Sequence, residues 1–109
     1  MNYNQQHKQV LKQLKDARRA QQCIYNFFKK NKATNIHSYY YEESFFIDVD
    51  VPSGIYVFTT VDFTQEGVLL RCYYSSDPKA DENTEAELAM EESVADLKTF
   101  LDNLKNYLN

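Results

Sequence analysis

The sequence predicts an α+β fold in two layers, of order α-β-β-β-α: an antiparallel three-stranded meander covered by two long amphipathic helices. Three observations carry this expectation. Apolar side chains recur every three or four residues at both ends of the chain, the period of a helix with one buried face. From Ile36 to Tyr74 the pattern changes to alternation, rich in aromatic and β-branched residues. Two turn signals, Pro52-Ser53-Gly54 and Thr64-Gln65-Glu66-Gly67, divide that stretch into three.

The first helix is expected from about Asn4 to Asn31. His7, Val10, Leu14, Ala17, Gln21, Ile24 and Phe28 form its apolar stripe, widened by Leu11, Ala20, Cys23 and Phe27. Lys29, Lys30 and Lys32 close it, where cations suit the carbonyl end. The first strand runs from Ile36 to Val51, with a bulge or bend near Glu42-Glu43-Ser44 because so long a strand is unusual. Unbroken alternation puts Tyr39, Tyr41, Phe45, Ile47, Val49 and Val51 on one face. Tyr40, Phe46, Asp48 and Asp50 then fall on the other. Ile55–Phe63 and Val68–Tyr74 supply the remaining strands, joined by short antiparallel connections. The last helix is expected from about Asp81 to Leu108. It rests on Ala86, Met90, Val94, Leu97, Leu101, Leu104 and Leu108, with acidic side chains in its first turns.

Charge is sorted along the chain. Residues 1–32 hold eight basic and one acidic side chain, and residues 33–109 hold four basic and fifteen acidic, so +7 is followed by −11. Lys12, Lys15 and Arg19 of the first helix are expected to face Glu85, Glu92 and Asp96 of the last. A chain of 109 residues, 43% hydrophobic and 26% charged, is globular in composition and fits one domain, 1–109. The polar start, Met1 to His7, leads into no apolar signal region, and no run is long enough to cross a bilayer. A cytoplasmic protein without a membrane role is the expectation.

Reactive constellations are hard to find. His7 and His37 stand alone, and no HExxH, CxxH or CxxC spacing is present, so neither a metal nor a cofactor is expected. Cys23 and Cys72 read as reduced, buried small hydrophobes. With two glycines in the chain there is no phosphate cradle. These absences favour a binding protein over an enzyme.

Two functions of different class follow. The first is a non-catalytic protein-binding module of the small chaperone, inhibitor/immunity or adaptor type. Its partner is another protein, held by an aromatic sheet face of Tyr40, Phe46, Tyr56, Phe58 and Tyr73 and by the segregated charge. The second is a nucleic-acid-associated dimer, in which Lys8, Lys12, Lys15 and Arg19 follow a phosphate backbone. A net charge of −4 makes nucleic acid the less favoured partner. Helices longer than the sheet, together with two open sheet edges, point to a homodimer.

Overall fold

The computed structural model describes residues 3–77 and 85–108, with side chains from residue 7 onward. Helix α1 (Tyr3–Lys30) precedes strands β1 (Thr34–Tyr41), β2 (Ser44–Asp50), β3 (Tyr56–Thr64), β4 (Gly67–Ser75) and β5 (Glu87–Ser93). A 3-10 turn, Val94–Asp96, then leads into helix α2 (Leu97–Leu104) and a closing 3-10 turn, Lys105–Tyr107. The strands form one antiparallel sheet in sequential order, β1-β2-β3-β4-β5. The α+β class and the antiparallel meander agree with expectation. The sheet has five strands rather than three, and only one helix is long.

Helix α1 ends in a Schellman motif. The Ala33 N–H donates to the Phe28 carbonyl at 3.0 Å and the Lys32 N–H to the Lys29 carbonyl at 3.3 Å. Lys32 takes the left-handed position, φ 67°, that glycine usually fills. Ala33 then packs back on the core.

The single long strand expected over residues 36–51 is two strands. Glu42 and Glu43 adopt φ 47° and 61° between the paired residues Tyr41 and Ser44, the geometry of a two-residue hairpin of type I′. The Phe63 N–H donates to the Glu43 carbonyl at 3.2 Å and ties this turn to the next strand. Near its start β1 carries a bulge at Asn35, φ 50°, whose side-chain amide donates to Asp50 Oδ2 at 2.7 Å. The two predicted turns form as expected: the Gly54 N–H closes one on the Val51 carbonyl at 3.0 Å, and Thr64 pairs with Gly67 across the other.

The long helix expected from Asp81 does not form as such. Residues 78–84 lie outside the described part. Glu87–Ser93 joins β4 as a fifth strand, with a bulge where Met90 faces Cys72 and Leu88 faces Tyr73. Helix begins only after Ser93, whose Oγ accepts the Ala95 N–H at 3.1 Å as an N-cap.

Both helices cover one face of the sheet. Ala17, Ala20, Ile24 and Phe28 of α1 meet Ile47, Val49, Val57, Val61, Leu70 and Cys72, and Phe100, Leu104 and Leu108 complete the buried cluster. The two alanines let the helix axis approach the strands closely. The amino-terminal half of α1 runs beyond this core. Val10, Leu11 and Leu14 are 53%, 52% and 43% exposed, and the molecule measures 51 × 26 × 20 Å.

Candidate binding face

Alternation along each strand sends one set of side chains under the helices and the other to the opposite face, which no described helix covers. On that open face, antiparallel pairing lines up an aromatic ladder from four consecutive strands. Tyr39 stacks on Phe46 with ring centroids 5.1 Å apart and planes 1° from parallel. Phe46 is followed by Phe58 at 6.3 Å, and Phe58 by Tyr73 at 4.8 Å and 11°. Tyr56 flanks Phe58 at 5.8 Å, and Leu88, 52% exposed, extends the row beyond Tyr73. Offset aromatic pairs of this kind hold their geometry by quadrupole complementarity as well as by area. Phe46, Tyr56, Phe58 and Tyr73 are half-buried, so their rings present a pre-arranged apolar surface.

Beside the ladder lies a polar network centred on Asp62. Its carboxylate accepts from the hydroxyl of Ser44 and from Thr60 Oγ1 at 2.8 Å, and it pairs with Arg71 Nη1 at 2.9 Å. Arg71 Nε reaches Glu91 Oε2 at 2.6 Å. The hydrogen bond to Glu91 is the main cause that holds the Arg71 guanidinium above its ordinary pKa. Burial raises the Tyr73 phenol, so the ladder's Tyr73 is neutral at physiological pH. At the other end Tyr56 donates to Asp48 Oδ2 at 3.5 Å. The strand registers put four carboxylates, Asp48, Asp50, Asp62 and Glu91, on this face with one guanidinium, Arg71, and the imidazole of His37. The face is therefore aromatic and net acidic.

Of the residues singled out from the sequence, Phe46, Tyr56, Phe58 and Tyr73 come together here. Tyr40 does not. It pairs across the hairpin with Phe45, on the helix side of the sheet, with ring centroids 4.9 Å apart. The two-residue turn at Glu42-Glu43 reverses the parity assumed for an unbroken strand, and Tyr39 takes the place on the open face intended for Tyr40. Sequence reading also missed Leu88 and the Asp62–Arg71–Glu91 cluster. Pairing Tyr39-Tyr40-Tyr41 with Ser44-Phe45-Phe46 about a central Glu42-Glu43 would have found the first rung of the ladder.

Lys8, Lys12, Lys15 and Arg19 are all exposed on α1, in the layer opposite the aromatic face. Lys12 and Arg19 line a groove with Asp16, Val94, Leu97 and Lys98, so they do lie on the side of α1 next to the last helix. The Val94–Asp96 turn borders this groove, and Lys98 adds a third basic side chain to it. Burial pushes the Cys72 thiol up to about 12, so it is protonated and a poor nucleophile at neutral pH. Cys23 is a free, half-buried thiol. Among the described residues no three His, Cys, Asp or Glu side chains gather where a metal ion would bind, and no helix is long and apolar enough to cross a membrane.

Set against known proteins, the chain matches no protein-family model, no curated protein and no solved structure.

Proposed function

We propose that this chain is a non-catalytic protein-binding module whose open sheet face receives a partner segment bearing apolar and basic side chains. The observation that carries the reading is the stacked ladder Tyr39–Phe46–Phe58–Tyr73 set among four carboxylates. Aromatic anchors already held by their neighbours lose little side-chain freedom on contact, which is the economy that interface hot spots use. Acidic side chains around them attract a basic segment, and ring faces accept its cations. A small chaperone, an inhibitor or immunity protein and an adaptor are the types of module that this reading covers. The reading places the protein in the cytoplasm and includes self-association through a sheet edge.

Contact with nucleic acid through α1 is the subordinate reading. The exposure of Lys8, Lys12, Lys15 and Arg19 favours it. The acidity of the aromatic face weighs against base stacking there, because phosphates would have to pass the carboxylates.

The test is capture from native cytosol by the wild-type chain and by the double variant Phe46→Thr/Phe58→Thr. Threonine keeps strand propensity while removing both central rings. The wild type is expected to retain a protein partner and the variant to lose it at least tenfold, with far-ultraviolet circular dichroism unchanged. Equal retention by both, or retention of nucleic acid that Lys12→Glu/Lys15→Glu abolishes, would overturn the reading.

A further inference from the structure

We infer that β1 is the seam of a two-fold homodimer, pairing antiparallel with β1 of a second copy to make one continuous ten-stranded sheet. The inference rests on the self-association part of the proposed function and is independent of what the aromatic face binds. Its starting point is the contrast between the sheet's two margins. Among the described residues the sheet ends at β1 on one side and at β5 on the other. Strand β5 is defended in the manner of natural edges: Glu87, Glu91 and Glu92 charge it, and a bulge interrupts its pairing. Strand β1 (Thr34–Tyr41) holds no acidic, lysine, arginine or proline residue. Three successive tyrosines, Tyr39, Tyr40 and Tyr41, are 47%, 56% and 62% exposed along it. An aromatic edge of eight residues without a carboxylate, ammonium or guanidinium group is a template for another strand, and a chain that leaves it open courts aggregation.

The charges that flank β1 select both the occupant and its direction. Lys29, Lys30 and Lys32 precede the strand, and Glu42 and Glu43 follow it. Parallel pairing of two copies would set lysine beside lysine and glutamate beside glutamate. Antiparallel pairing brings the lysines of each copy to the glutamates of the other, once at each end of the seam. An axis through Ser38 also respects the faces of the sheet. His37 then meets Tyr39 of the second copy on the open face, and Ile36 meets its Tyr40 on the helix side. Lys32 arrives within about one residue of Glu43 of the second copy. Such an interface is isologous and closes on itself, so it consumes the exposed edge instead of propagating it. It also joins the two aromatic ladders at their Tyr39 ends, which doubles the open face and makes it continuous.

The experiment is sedimentation equilibrium of the full chain over the micromolar range, with circular dichroism to confirm folding. The wild type is expected at twice the chain mass of 12.9 kDa. Ser38→Lys sets two ammonium groups together near the axis and gives up the exposed hydrogen bond that Ser38 Oγ accepts from Gln21 Nε2 at 2.8 Å. It is expected to raise the dimer dissociation constant at least tenfold with the circular dichroism spectrum unchanged. Ser38→Ala, which gives up the same hydrogen bond without the charge, is expected to leave the dimer in place. Lys32→Glu is expected to weaken the dimer several-fold, and Lys32→Glu with Glu43→Lys to recover it. A wild type that stays monomeric at about 100 μM protein, a dimer indifferent to Ser38→Lys, or a charge exchange that recovers nothing each overturns the inference. None of these outcomes bears on Phe46 and Phe58, so failure of the seam and failure of the aromatic face are separable.

Discussion

Single side chains set the quality of both faces of this sheet. On the helix side, Thr59 stands between Ile47 and Cys72 in the strand registers and is fully buried. Among the described residues its hydroxyl has no hydrogen-bond partner. A buried donor left unsatisfied costs about 1–3 kcal/mol, whereas an apolar group of the same shape costs nothing of that kind. Thr59→Val is therefore expected to raise the unfolding free energy by about 1 kcal/mol, read as a higher denaturant midpoint at unchanged slope. An unchanged or lower midpoint would show that Thr59 finds a partner in solution. On the open face the opposite rule operates. Asp62 is nearly buried but accepts from Ser44, Thr60 and Arg71, so its charge is compensated where it stands.

Two elements depart from their local signals, and each has a physical reason. The β1–β2 turn uses Glu42-Glu43 where asparagine and glycine are the usual occupants of two left-handed positions. Left-handed backbone costs a side-chain-bearing residue about 1–2 kcal/mol, and two adjacent carboxylates add repulsion. No turn signal was therefore present to read, and one long strand with a bend was the natural inference. The cross-strand ring contacts, Tyr39 stacked on Phe46 and Tyr40 tilted against Phe45, favour the closed hairpin in spite of its turn. Glu42→Asn/Glu43→Gly is expected to stabilise the chain by about 1 kcal/mol in thermal or denaturant unfolding. The measurement belongs in the Ser38→Lys background, where the proposed seam does not enter. No gain there would mean that the turn relaxes without strain. The second departure is β5. Its residues fit a helical period through Ala86, Met90 and Val94 and do not alternate, but the exposed margin of β4 offers a ladder of backbone hydrogen bonds. Tertiary pairing outweighed the helical period, and Ser93 as N-cap marks where helix resumes.

At the scale of the molecule, two helices over one face and none described over the other leave stability concentrated in a single apolar layer. Cys72 reports on that layer. Its thiol is held at about 12 against an ordinary 9.0, because the charged thiolate would have to be buried. The folded state therefore keeps this proton longer than the unfolded chain does. The associated stability is complete below about pH 9 and is lost as pH rises towards 12. The raised phenols of Tyr73 and Tyr74 act in the same direction at still higher pH. Between pH 8 and 10.5 the unfolding free energy is expected to fall by about 2 kcal/mol through Cys72 alone. Cys72→Val should flatten that part of the decline in denaturant titrations. If the variant and the wild type decline in parallel, the thiol is not the titrating group. The same layered plan leaves the amino-terminal half of α1 projecting past the sheet, with Val10, Leu11 and Leu14 exposed along it.

What the sequence by itself determined is whatever is encoded locally. The reach of α1 and the Ala17–Phe28 part of its apolar stripe, the turns at Gly54 and Gly67, strands β3 and β4, and the aromatic character of Phe46, Tyr56, Phe58 and Tyr73 all follow from periodicity and turn chemistry within a few residues, whereas Val10, Leu11 and Leu14 of the expected stripe are exposed. The tertiary structure alone decided the number of strands, the side of the sheet to which Tyr39 and Tyr40 belong, and the conversion of Glu87–Ser93 from helix to strand. Those outcomes depend on pairing between segments. A two-residue turn inverts the parity of everything before it, and an open strand edge gives a neighbouring segment hydrogen bonds that its own sequence cannot announce.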